Sequence, residues 1–166
     1  MSAQIQRIEP GLGQESVWDY PRPPRVEAST RHIQVIFSGL ILADTRRAVR
    51  VLETSQAPAY YIPPEDVLQS CLSQSEQVTL CEWKGRANYL DVVVGDRRAA
   101  NAVWTYHEPL AGYELIRDYL ALYPQLMDQC LVDGEVATPM PGGFYGGWVT
   151  RDVVGPFKGA PGTQGW

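Results

Sequence analysis

Apolar and polar positions alternate with a period of two along much of the chain, the pattern of strands with one face buried. In HIQVIF, Ile33, Val35 and Phe37 alternate with Gln34, and LILAD returns after Ser38-Gly39, a pair tolerant of positive φ. AVRVLE sets Val49 and Val51 against Arg50, and AYYIP is a short aromatic strand closed by Pro63 and Pro64. EQVTLCEW reads as a strand broken by Gly85. ANYLDVVVG and RRAANAVWTY read as a hairpin around Gly95-Asp96, and LVDGEVAT as a last hairpin. Two stretches predict short helices. PPEDVLQSCL places Glu65 and Asp66 at a positive helix start. YELIRDYLALYP repeats Leu115, Ile116, Tyr119, Leu120 and Tyr123 at three- and four-residue spacing before Pro124.

The ends depart from this pattern. Residues 1–27 read as an extended lead-in, since Pro21, Pro23 and Pro24 forbid helix and favour a polyproline conformation. Residues 28–138 form the β domain. Residues 139–166 are an extension that interleaves eight glycines with Phe144, Tyr145, Trp148, Phe157 and Trp166. Glycines prevent a regular helix, while the aromatics give the segment surface to bury, on its own domain or on a partner. The expected class is therefore mainly β (α+β), with antiparallel sheets and one or two short helices.

Composition narrows the partners. With 166 residues, 45% hydrophobic and 20% charged, the chain suits one soluble domain with a full core. A net charge of −5, with no basic block beyond Arg46-Arg47 and Arg97-Arg98, argues against nucleic acid. No apolar run approaches the ~18 residues of a membrane span, and the first residues lack a signal peptide's order. A cytoplasmic setting is expected. Cys71, Cys81 and Cys130 suit a reducing compartment better than a disulfide framework. None forms C-x-x-C, and with only His32 and His107 as partners no metal site and no cofactor are expected.

The chemistry concentrates in TLCEWKGRANYL. Cys81 sits at a strand position near Val78 and Leu80, which favours packing over a nucleophile's role, since no histidine is locally tied to it. Lys84-Gly85 pairs a point charge suited to an anion with a residue that lets backbone approach a ligand. A solvated turn lysine would read the same way. Glu53, Glu65 and Asp66 are carboxylates near aromatic strands, capable of acid–base work. The helix start accounts for Glu65 and Asp66 without it. Tyr60, Tyr61, Trp83, Tyr89, Trp104 and Tyr106 are many aromatics for a small sheet, either core or the wall of a cleft. No phosphate loop, dinucleotide fingerprint, Ser-His-Asp order or H-E-x-x-H helix is present.

The stretches GLILADTRRAVRVLE, AYYIPPEDV, TLCEWKGRANYLDVVVGDR, NAVWTYHEPL and LIRDYLALYPQLMD resemble, in this order, the family catalogued as domain of unknown function 427. The resemblance spans Arg31 to Gln129. Typical members carry a proline and an aromatic between the cysteine and the lysine, where this chain has Glu82-Trp83. The resemblance implies a β-tent-like fold, shared with methionine sulfoxide reductase B and the thalidomide-binding domain of cereblon. Zinc-bearing relatives use two C-x-x-C knuckles, absent here. Some collections label the family nucleotidyltransferase-like, but no Gly-Ser pair followed by D-x-D supports that label. The tail looks like the extension of cyanobacterial members.

Three functions follow as expectations. The first is a binding module whose cleft holds a small anionic or planar ligand through Tyr61, Trp83, Lys84 and Trp104. The second is a protein-interaction subunit docking through residues 139–166. The third is an enzyme of unknown reaction, with Glu53, Asp66 or Cys81 as the catalytic group and Lys84 as an anion clamp.

Overall fold

The computed structural model describes residues 5–166. Its strands are β1 (Glu15–Ser16), β2 (Arg25–Ala28), β3 (Ile33–Phe37), β4 (Leu40–Thr45), β5 (Val49–Leu52), β6 (Ala59–Ile62), β7 (Leu72–Cys81), β8 (Gly85–Val94), β9 (Arg97–Thr105), β10 (Leu120–Leu122), β11 (Gln129–Val132), β12 (Glu135–Val136), β13 (Thr138–Pro139), β14 (Trp148–Val149) and β15 (Val153–Val154). A seven-stranded sheet runs in the order β2-β5-β6-β10-β9-β8-β7, and a four-stranded sheet in the order β12-β11-β3-β4. Pairing in both is antiparallel throughout. The large sheet does not close, so the fold is mainly β with open antiparallel sheets.

Period-two alternation decides what each face does. Ile33, Val35 and Phe37 of β3 and Cys130 and Val132 of β11 turn inward, against Tyr60, Ile62, Val92, Leu120 and Leu122 of the large sheet. This is the main core. The opposite face of the large sheet carries a second cluster, in which Val49, Tyr61, Ala87, Tyr89, Trp104 and Ala121 share one side. Adjacent Tyr60 and Tyr61 thus serve different cores.

The expected hairpins form at Ser38-Gly39, Gly95-Asp96 and Asp133-Gly134, linking β3 to β4, β8 to β9 and β11 to β12. Ser38 and Gly39 both take positive φ, 50° and 76°, as the favoured two-residue turn requires. The predicted helix at YELIRDYLALYP is corrected. Only Glu114–Ile116 makes a 3-10 turn, Asp118 has φ 62°, and Leu120–Leu122 enters the large sheet. All three residues of β10 are buried, Leu120 and Leu122 in the main core and Ala121 in the second cluster. A strand covered on both faces shows no polar alternation, so its apolar run imitated a helical stripe. PPEDVLQSCL likewise resolves into two 3-10 turns, Pro64–Asp66 and Gln69–Cys71.

The lead-in and the tail pack on the domain and on each other. β1 pairs in parallel with β15, and β2 forms an edge of the large sheet. Trp18 meets Trp166 edge to face at 5.4 Å and donates its indole hydrogen to the Pro156 carbonyl. Trp148 is buried in the main core against Tyr60. No helix among the described residues is long and apolar enough to cross a membrane.

Candidate functional site

One cross-strand row builds the floor of the site. Register places Tyr61 of β6, Ala121 of β10, Trp104 of β9 and Tyr89 of β8 side by side. Side chains opposite one another in an antiparallel sheet share a face. Ala121 is the small member of the row. Across it, the Trp104 indole donates to the Tyr61 hydroxyl at 3.0 Å, with the rings edge to face at 6.0 Å. The Tyr89 hydroxyl meets that of Thr79 on β7 at 2.9 Å.

Over this floor lies a cavity of about 600 Å³, within the usual range of roughly 300–1,000 Å³ for small-ligand sites. Lys84 enters it from the tight turn between β7 and β8. Gly85, at φ 107°, turns the chain there, and the Leu110 amide donates to the Lys84 carbonyl at 2.9 Å, pinning the turn. The Lys84 ammonium sits 5.9 Å from the centre of the Tyr106 ring. It makes no hydrogen bond or ion pair among the described residues, though the side chain is half-buried. Burial disfavours its charge, yet Tyr61, Cys81 and Glu53 outweigh that effect and hold its pKa above the ordinary lysine value. At neutral pH, where the Tyr61 phenol is uncharged, Glu53 is the neighbour that favours the Lys84 ammonium. Burial also pushes the Tyr61 and Tyr106 phenols up, so both stay neutral.

The tail supplies one wall. Gln125 donates to the carbonyls of Gly143 and Tyr145, holding the segment 143–147 at the rim. Gly146 lies directly on the Trp104 ring: a methyl group there would reach to 2.8 Å from Cζ3. Phe144 and Leu80 stand exposed at the mouth.

The expected residues fall in different places. Tyr61, Lys84 and Trp104 converge on the cavity, as do Cys81 and Glu53. Glu53 is an ion-pair partner of Arg22 at 3.4 Å. Trp83 packs half-buried against the second cluster beside the cavity, without lining it. Asp66 lies elsewhere, ion-paired with Arg47 at 3.2 Å and accepting from the Thr45 hydroxyl. Tyr89 and Tyr106, named above only within the aromatic set, also line the cavity, and Tyr123 and the 143–147 segment do so without having been singled out for it. Counting outward from the Gly95-Asp96 turn would set Tyr89 opposite Ala102; a register shift between Leu90 and Val92 brings Trp104 there instead. The wall from the tail is a long-range contact with no local signal. No cluster of three or more metal-ligating side chains occurs among the described residues.

A family model described as domain of unknown function (DUF427) matches residues 25–133. That span runs from β2 through β11 and includes Lys84, Tyr61, Trp104, Tyr106 and the row beneath them. The tail wall lies beyond it. No curated protein matches the chain.

Proposed function

The chain belongs to the DUF427 family, and from the site it carries we propose that it is a binding module whose cavity holds a small anionic or planar ligand. One observation carries the proposal: Lys84 places an ammonium without a protein partner into a half-buried aromatic cavity. A charge withdrawn from water is costly unless it is paired, and an anionic ligand supplies the pair. Trp104, with the partly exposed Tyr123 and Tyr145, offers aromatic surface for the rest of the molecule.

The test is a thermal-shift and calorimetric screen of aromatic acids, adenine nucleotides, pyrophosphate and neutral planar compounds. At least one class should bind, and Lys84→Ala should weaken an anionic hit about tenfold or more, in line with a lost charge-assisted hydrogen bond. Hits that bind Lys84→Ala and Trp104→Ala unchanged would sink the proposal.

An enzymatic role for Glu53 or Cys81 draws on their presence in the same cavity. Its mark would be turnover lost in Glu53→Gln or Cys81→Ala while binding survives. Docking of a protein partner through residues 139–166 draws less support, because Trp148 and Phe157 already pack against their own domain and Trp166 meets Trp18.

A further inference from the structure

We infer that the ligand is a flat organic monocarboxylate, and that phosphate esters and nucleotides are the wrong class for this cavity. The inference rests on the binding role proposed above and sharpens it.

The unspent polar groups around Lys84 are donors, whereas the unpartnered acceptor of the lining, Gln125 Oε1, belongs to the side held by the tail. Lys84 offers its ammonium. The Tyr106 hydroxyl has no hydrogen-bond partner among the described residues and is not sealed from the cavity. The Tyr61 oxygen receives the Trp104 indole hydrogen, which leaves the Tyr61 proton to be donated. The Tyr61 and Tyr106 rings lie 6.4 Å apart, and both residues line the same cavity as Lys84. Donors with one positive charge, lining one cavity, match the oxygens of a carboxylate.

Charge counting excludes the dianion. Lys84 and Glu53 are the charged side chains lining the cavity, and Glu53 is already paired with Arg22. A phosphate ester brings about −1.5 to −2 charges near neutral pH. One ammonium would leave the excess uncompensated beside Glu53. Phosphate sites also draw on helix N-termini, and every helix among the described residues is a three-residue 3-10 turn. An aromatic body suits the lining, in which Trp104 and Tyr123 pack on each other as one wall, a tilted pair 4.5 Å apart. Apolar Leu80 and Phe144 flank the exit.

A matched series separates the alternatives: 2-naphthoate, 2-naphthalenemethanol and 2-naphthyl phosphate share one body and differ in head group. Each is titrated calorimetrically into the full chain and into its Lys84→Met and Tyr106→Phe variants, with folding checked by thermal melts. The acid should bind at least about tenfold tighter than the alcohol or the phosphate. Lys84→Met should erase the difference between acid and alcohol. Tyr106→Phe should weaken the acid about fivefold and leave the alcohol unchanged. A phosphate that binds as tightly as the acid, with both dependent on Lys84, overturns the carboxylate assignment and leaves the binding role standing. Failure of all three probes to bind the unmodified chain overturns the assignment, while a hit of another class in the broader screen would still uphold the binding role.

Discussion

Removing the Trp148 side chain tests whether the tail is part of the cooperative fold. Trp148 is 1% exposed, lies 5.1 Å from the Tyr60 ring, and donates its indole hydrogen to the Leu122 carbonyl at 3.2 Å. Its own amide is held by the Pro58 carbonyl at 2.8 Å. Trp148→Ala empties a full indole from the main core, a change that typically costs about 3–5 kcal/mol. The Leu122 carbonyl also loses a donor in a buried setting, which keeps the expectation toward the upper end of that range. For a chain of this size each kcal/mol moves Tm by about 2–4 °C, so a fall of roughly 6–20 °C is expected. Urea titration should show a lower midpoint with the slope unchanged, since the surface exposed on unfolding hardly differs. Phe144→Ala is the control: the ring is 74% exposed, and a change within about 0.5 kcal/mol is expected. A Trp148→Ala melt within about 2 °C of the unmodified chain would show that the tail is not coupled to the core, and the reasoning would fail.

Gly146→Ala drives a methyl group against the Trp104 ring and to 3.2 Å from Tyr123 Cδ1, and should cost about 1–3 kcal/mol by overpacking, measured by denaturant titration. The Arg50 hydrogen bond, more than any other influence, holds the Glu15 carboxyl below its ordinary value. The resulting stability is present above the ordinary carboxylate range and disappears as pH falls through the depressed value. Glu15→Gln should therefore trail the unmodified chain by on the order of 1 kcal/mol or less near neutrality, with the gap closing in acid; a gap constant across pH would refute this. Cys81 is half-buried in the cavity, whereas Cys71 and Cys130 are buried. Intact-mass analysis after brief iodoacetamide treatment should show one adduct, at Cys81, and a bound cavity ligand should slow its formation.

Strands and turns were legible where one face meets solvent or where a turn needs a special residue. Ile33, Val35 and Phe37 alternate because β3 covers the core from one side only. Leu120–Leu122 was illegible because both of its faces are buried, and a run without polar interruption carries no period. In the site, Lys84-Gly85 stood out because a lysine beside a glycine is unusual in an aromatic strand, and the turn it marks is real. Whether Trp83 faces the cavity could not be read, because the three-residue turn Glu82-Trp83-Lys84 resets the alternation between β7 and β8. Asp66 looked like a candidate base by type alone. Its pairing with Arg47 and Thr45 depends on where β4 meets the 3-10 turn at Pro64–Asp66, which local sequence does not encode.

The three residues of β10 have a consequence for the way the chain is assembled. Strands β2, β5 and β6 form one half of the large sheet and β7, β8 and β9 the other, and the halves are joined only through β10. Until Leu120 has been synthesised and seated, β6 and β9 each present an open edge, the kind of surface on which unrelated strands add and aggregates begin. The late splice also makes sheet completion a non-local event, which slows folding relative to the hairpins on either side. A messenger truncated between β9 and β10 would yield a chain with two half-sheets and two unguarded edges, a natural substrate for chaperones and proteases.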